Sequence, residues 1–445
     1  MSGIPVLQSA SAVLTPQVLV VAITVLCIAL WIRAPIPPGF TGILAIALIG
    51  VVLSPSVALH GFELPATWLV VFGLIIGETT RETGLATNLG RWLLHRGVPS
   101  SATGARRTYL YTLTVLCFAG LALTLLVPSS LVRVLVLGPI VREAALTQES
   151  DRARIGLYLA PLITTYQSSV GILTAGLQNI AVVGMLESMT DATVTWSEWF
   201  ALMFPVMGVG RMVVVVAVMY VLFRPTPDAG ATVAFDADDD LTADQRRLLL
   251  FLGVGVLIWA TDFLHGLHPL FGAVAVVVLA MAPRIGVVPF ERVEDVDFTI
   301  VFFFGAVFAI AAGLSDVGFT KSVVDGALTV LPSSLPYSVF LACVLVLSMA
   351  LQLIIEALAV VSVLTPILVT YAQQAGLAVQ PVVMTEAIAS VSIFFPYQSA
   401  VLIAILGQDV VDFRTIAKSL VACTLVGTVV LVPIQIALML FVLPT

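Results

Sequence analysis

The chain has 445 residues, 60% of them hydrophobic and only 10% charged, with a mean hydropathy of +1.12 and a net charge of −7. A soluble protein of this length could not cover so much apolar surface with polar groups, whereas lipid needs no polar cover. That balance argues against a soluble enzyme, and nothing in it suggests a nucleic-acid partner.

The first residues lack the basic, apolar, small-residue order of a cleaved signal peptide, so none is expected. From Gln17 to Leu443, apolar runs recur that are long enough to cross about 30 Å of hydrocarbon. They predict spans near 17–34, 39–53, 66–80, 153–190, 197–223, 246–262, 268–284, 297–316, 381–405 and 415–443. Two further apolar stretches, 107–147 and 336–372, are split by Pro128-Ser129-Ser130 and by Glu356. These read as helical hairpins that enter and leave on one side. The segments 81–105 and 317–332 read as interfacial arms before each hairpin. The loop 224–245 holds Asp228, Asp236, Asp238, Asp239, Asp240 and Asp244 and reads as an acidic cytoplasmic linker.

Basic residues set the orientation. With the N-terminus outside, sixteen arginines and lysines, from Arg33 to Lys418, fall on the cytoplasmic side and only Lys321 falls outside. Arg133 and Arg211 lie within apolar stretches. The expectation is a multi-pass protein of the cell membrane with both termini outside. Each half then has five spans and one hairpin, an odd count that turns the second half upside down relative to the first. The predicted fold is therefore an all-α polytopic membrane protein of two inverted repeats, each with five transmembrane spans plus one re-entrant helical hairpin. Residues 1–223 form the first repeat and 246–445 the second. Local echoes support it: Thr67-Trp68-Leu69-Val70-Val71-Phe72-Gly73 resembles Thr299-Ile300-Val301-Phe302-Phe303-Phe304-Gly305. Tyr166-Gln167-Ser168-Ser169-Val170 likewise resembles Tyr397-Gln398-Ser399-Ala400-Val401, and Pro139-Ile140 and Pro366-Ile367 recur in the hairpins.

Irregular backbone at membrane depth is tolerated only where protein or a hydrated cavity satisfies it. Four interruptions are therefore candidate site elements. Two are the hairpin tips, Pro128, Ser129 and Ser130 in one and Glu356 in the other. The others are breaks: Ser168, Ser169, Thr174, Gly176, Gln178 and Asn179 in span 153–190, and Pro396, Tyr397, Gln398 and Ser399 in span 381–405. Freed amides, carbonyls and hydroxyls there could replace a hydration shell. Any one hydroxyl could equally bond back to its own helix.

Buried charges are a sharper signal, because each is costly unless paired or hydrated. Arg133 lies one turn beyond the first tip and Glu356 at the second. They read either as an anion anchor and a proton-exchanging group, or as a structural ion pair that locks the tips. Arg211 reads as a scaffold charge needing a carboxylate or free carbonyl. Glu78 and Glu82 beside Arg81 read as an interfacial cluster. His60, His95, His265 and His268 lack metal-ligand spacing, and Cys27, Cys117, Cys343 and Cys423 read as small apolar-run residues. No nucleophile elbow, phosphate loop or zinc motif occurs, so neither an enzyme nor a bound cofactor is expected.

With these motifs in place, the chain resembles the divalent anion:sodium symporter family, the sodium-coupled sulfate and dicarboxylate carriers, over about residues 17–443. That family carries Ser-Asn-Thr at each hairpin tip and a Thr-Pro-Pro-Asn-like break in the following span. Ser129-Ser130-Leu131 and Glu356-Ala357-Leu358 stand at the two tip positions here. The first break keeps Thr174, Gly176 and Asn179, while the second has Ser399 at the threonine and Leu402 at the asparagine. The resemblance implies that tips and breaks form substrate and sodium sites in a homodimeric carrier that moves elevator fashion. The glutamate at one tip would instead suit proton coupling. The expected function is a secondary active transporter of a small anionic solute coupled to H+ or Na+. Two rivals stand beside it: a cation/proton antiporter exchanging at Glu356, and a non-transporting membrane scaffold or sensor.

Overall fold

The computed structural model describes residues 15–33, 36–97, 104–146, 148–226, 241–330, 335–408 and 410–443. Most of the acidic linker lies outside them; Asp244, in the first turn of its helix, is described. Prolines open the early helices α1 (Pro16–Arg33), α2 (Pro38–Val52), α3 (Pro55–Glu63) and α4 (Pro65–Glu82). There the missing N–H costs nothing and the fixed φ suits the first turn. The arm α5 (Leu85–Gly97) follows, and then the hairpin α6 (Ala105–Leu126) and α7 (Ser130–Leu146). The first broken span is α8 (Asp151–Gln167) and α9 (Leu177–Met189). Between them lie two short 3-10 turns, Ser168–Gly171 and Leu173–Ala175. The first half closes with α10 (Trp196–Met203), a π-helical segment Phe204–Gly210, and α11 (Arg211–Phe223).

The same order then runs again. It begins with α12 (Ala243–Ala260), the short α13 (Asp262–His265) and α14 (Leu270–Met281), and continues with α15 (Thr299–Asp316) and the arm α16 (Phe319–Val330). The second hairpin is α17 (Tyr337–Leu351) and α18 (Ala357–Gln374). The second broken span is α19 (Val379–Ser390) and α20 (Ala400–Leu406), with a 3-10 turn Pro396–Gln398 between, and α21 (Phe413–Val442) ends it.

Among the described residues six helical stretches are long and apolar enough to cross a membrane, α10 through α11 (Trp196–Phe223) counting as one, or seven when α3 and α4, bent by 51° at Leu64, are taken together. The sequence predicts about ten spans, and the differences have simple causes. Helix α2 has 15 residues and α14 only 12, so at about 1.5 Å per residue neither reaches across on its own. The predicted spans 153–190 and 381–405 are each two helices separated by irregular backbone. Helices α6 and α18 have spanning length, although they are hairpin legs.

Packing repeats with the order. Both legs of the first hairpin lie on α8 and both legs of the second on α19. Each half-helix beyond a break crosses to the opposite hairpin, α9 onto α18 and α20 onto α7. Outside this bundle, α2 and α3 pack on α15, and α14 packs on α4. Glycine makes the contacts of α2 and α3 with α15 close: a Cβ at Gly42 of α2 would lie 2.6 Å from the Phe302 carbonyl oxygen, and one at Gly61 of α3 2.7 Å from that of Gly305. In lipid, where apolar burial cannot drive helices together, such close approach supplies the dispersion contact that does.

Candidate functional site

The first tip is built around Arg133. The chain leaves α6 at Val127 and re-enters helix at Ser130, whose neighbour Ser129 accepts the Val132 amide at 3.3 Å. One turn on, Arg133 is completely buried. Its Nε donates to Thr165 Oγ1 at 3.0 Å. One terminal nitrogen donates to the Val127 carbonyl at 2.6 Å and the Ala175 carbonyl at 3.0 Å. The other donates to Ser130 Oγ at 2.7 Å and the Thr165 carbonyl at 3.1 Å. All five guanidinium N–H groups are thus used, and every acceptor is a neutral oxygen. Glu356 is not among these partners. The side chain binds the tip, the end of α8 and the first break into one body.

The first break is held by its own amide. Asn179 Nδ2 donates to the carbonyls of Ser169 at 3.0 Å and Ile172 at 2.9 Å, each of which also accepts a backbone amide of the turns, from Ile172 and Ala175 respectively. Trp199 donates to the Val170 carbonyl at 2.9 Å, and Trp196 to Thr174 Oγ1 at 3.3 Å. A Cβ on Gly171 would come within 2.8 Å of the Gly208 backbone, so the break and the π-helical segment touch main chain to main chain. Gly176 precedes α9 in extended conformation, and Gln178 is half-buried in its first turn.

The second break uses the same device. Gln398 Oε1 accepts the amides of Phe394 at 2.8 Å and Phe395 at 2.7 Å, and its Nε2 donates to the Gln352 carbonyl in the second tip at 2.9 Å. Tyr397, half exposed, donates to the Leu353 carbonyl at 3.1 Å. Pro396 opens the 3-10 turn and Ser399 is buried behind it. At the tip itself, the half-buried Glu356 accepts the amides of Leu358 at 2.8 Å and Ala359 at 3.4 Å, capping α18. Four helices, α7, α9, α18 and α20, begin at these interruptions and present their positive ends there.

The two halves meet through Tyr166. It is buried at the end of α8, facing Ser399 of the second break. Next to it, Gln167 donates to Thr424 at 3.1 Å, and Thr424 to the Ile393 carbonyl at 2.6 Å. Arg211, also buried, donates to Ser392 Oγ at 2.6 Å and the Ile388 carbonyl at 3.4 Å. It reaches a carbonyl, but one in the second broken span that Ser392 Oγ already serves, where a carboxylate or a free carbonyl was expected. Among the described residues neither Arg133 nor Arg211 has a carboxylate within ion-pair distance. Along the seam, Tyr166 Oη, Ser168 Oγ, Asn179 Oδ1, Gln352 Oε1 and Arg211 Nε are buried with no partner. Buried polar groups rarely go unsatisfied without water, an ion or a ligand to serve them.

Two acids were overlooked in the sequence. Glu386, in α19, is buried and accepts from Thr365 Oγ1 of α18 at 2.7 Å. An isolated charge in an apolar run was the available signal, the same one that marks Glu356. Asp262 accepts the Trp196 amide at 2.6 Å and caps α10. Elsewhere, Arg81 meets Glu78 at 2.5 Å, and Arg292 extends that cluster by reaching Glu82 at 3.0 Å. His268 lies 3.4 Å from Glu187, and His60 4.0 Å from Glu63. A polar cleft of about 640 Å³ separates α3 and α15 from the ends of α9 and α18, lined by His60, Glu63, Ser188, Asp316, Thr370 and Gln373.

A helical bundle with paired hairpins, broken helices and a polar seam at the breaks is the arrangement found in multi-pass membrane transporters. Residues 3–443 match the sodium:sulfate symporter transmembrane region, and the chain belongs to that family. It is 24% identical to the L-tartrate/succinate antiporter of Escherichia coli strain K12 over 340 residues, 72% of this chain and 66% of that protein. The match to the antiporter of Shigella flexneri is 24% identical over 284 residues, 60% of this chain and 55% of the relative. The chain thus spans between 55% and 66% of these relatives' length, less than two thirds in both cases. In fold it is similar to the Alcanivorax borkumensis YdaH transporter, with a TM-score of 0.60 at 15% identity over 96% of this chain and 98% of that one.

Proposed function

We propose that the protein is a secondary active carrier of a small anion, a dicarboxylate or sulfate-like solute. The observation that carries this reading is the pair of buried arginines, Arg133 and Arg211, with no acid partner among the described residues. An uncompensated charge in a membrane bundle is costly, and an anion at the seam would relieve it. The positive ends of α7, α9, α18 and α20 act in the same direction. Ser168, Ser169, Thr174, Asn179, Gln398 and Ser399 supply neutral groups at the same seam, with Tyr166 between the halves.

The doubled element order and its crossed packing support two inverted repeats, 1–223 and 246–445, joined by the linker 224–245. On that plan the hairpins are re-entrant, both termini lie outside the cell membrane, and the polar cleft opens to the exterior. The hairpin bundle moves as an elevator against a scaffold of α2, α3 and α15 in a homodimer. The relatives' description as antiporters favours exchange of one anion for another over symport with Na+ or H+. Two rivals lose ground. Glu356 spends its carboxylate on capping α18, which does not suit a free cation/proton exchange site. The Arg133–Glu356 pair that would close a non-transporting scaffold is not formed.

The test is counterflow in proteoliposomes loaded with succinate, tartrate or sulfate, with sodium, choline and pH varied independently. Saturable exchange of at least one of these anions is expected. Transport of monovalent cations with no anion movement would reject the reading.

A further inference from the structure

We propose that the Arg133 guanidinium is a tethered cation, filling an oxygen cage that would otherwise require a free monovalent ion. The cage has five ligands from three separated segments: the Val127 carbonyl and Ser130 Oγ of the first tip, Thr165 Oγ1 and carbonyl at the end of α8, and the Ala175 carbonyl of the first break. All are neutral. Val127 follows the last residue of α6, and Thr165 lies in the last turn of α8, so two helices point their negative ends at one spot. The Ala175 carbonyl belongs to unwound backbone, and Ser130 also donates to it at 3.4 Å. Convergent carbonyls and hydroxyls at helix ends are the chemistry that replaces the water of a small cation. They are a poor design for a guanidinium needed only for charge balance, which would seek a carboxylate.

The consequence concerns how the first tip is ordered. A free cation would join tip to break only when bound, and its gradient would then bias the carrier. Arg133 makes the same connection permanently, so the first half is assembled without any cation in solution. Its hydrogen bonds are exhausted within the cage. Its charge therefore acts on an anion at the seam by field alone, without direct contact.

This inference rests on the anion-carrier reading for its meaning, but its test needs no substrate. The full-length protein and its variants are purified in detergent and melted in sodium, lithium, potassium or choline chloride at equal ionic strength. The wild type is expected to melt alike in all four. Arg133→Ala is expected to melt lower in choline and to be raised saturably by at least one small cation, by roughly 5 °C beyond any wild-type response. Sodium is smaller than a guanidinium and would enter with water or by drawing tip and break together. Arg133→Lys, which leaves an ammonium in the cage, is expected to need no added cation. The proposal is overturned if Arg133→Ala responds to cations no more than the wild type. It is equally overturned if that variant yields no folded protein in any of the salts, since no free ion then takes the guanidinium's place. Either result leaves anion exchange by the wild type untouched.

Discussion

Arg133 and Arg211 are both buried arginines, but their bonding separates their roles. Arg133 joins carbonyls of three separate segments, the tip, the end of α8 and the first break, so structure depends on it. Arg211 makes two bonds to groups that are already served: Ser392 Oγ donates to the Ile388 carbonyl at 2.6 Å without it. Arg211→Met, similar in length and uncharged, is therefore expected to keep the wild-type melting temperature within a few degrees while anion exchange falls at least ~10-fold, about 1.4 kcal/mol of anion stabilisation. A variant that melts far lower yet exchanges normally would place Arg211 in the scaffold instead. Glu386 illustrates the limit of reading single residues. Its position in an apolar run was visible, but its partner Thr365 is 21 residues earlier, on a different helix.

At the scale of elements, the broken helices stand or fall with a few side-chain amides and one close approach of backbones. Asn179→Ala removes the second donor from two buried carbonyls, which keep the amides of Ile172 and Ala175, so a loss of about 1 kcal/mol for each bond is expected. Asn179→Asp keeps the shape but not the donors, and is expected to be no better. Gly171→Ala forces a methyl against the Gly208 backbone, which cannot swing aside, at a cost of about 1–3 kcal/mol. Thermal melting of the three variants tests this, and wild-type stability in Asn179→Ala would mean that the break is braced elsewhere. Helix lengths were less legible than breaks. Hydropathy counts apolar residues, but α14 ends at Met281 because backbone bonds from Val287 and Val288 fold back to the Ala280 carbonyl.

For the whole molecule, the crossed packing of α9 on α18 and α20 on α7 ties the two hairpins into one body. The α2–α3–α15 group forms the wall across the polar cleft. If the first moves against the second, joining them stops transport. A bifunctional maleimide linking cysteines at His60 and Gln373 is expected to abolish exchange while leaving anion-dependent thermal stabilisation in place. Undiminished exchange in the fully cross-linked protein would reject motion across this cleft.

The amino-acid sequence by itself determined that the protein lives in a membrane and where its helices are interrupted. Apolar run length and the positions of proline, glycine and charge are local properties, and lipid enforces them residue by residue. The tips at Pro128-Ser129-Ser130 and Glu356, and both breaks, were legible for that reason. Only the tertiary structure decided what each buried charge is for. Arg133, read as an anion anchor or as half of an ion pair with Glu356, became the centre of five neutral oxygens, and Glu356 the cap of its own helix. Arg211 was joined to the far half of the chain. A buried charge takes its partners from whichever segments folding brings within 3 Å or so, and those here lie up to 181 residues away in sequence.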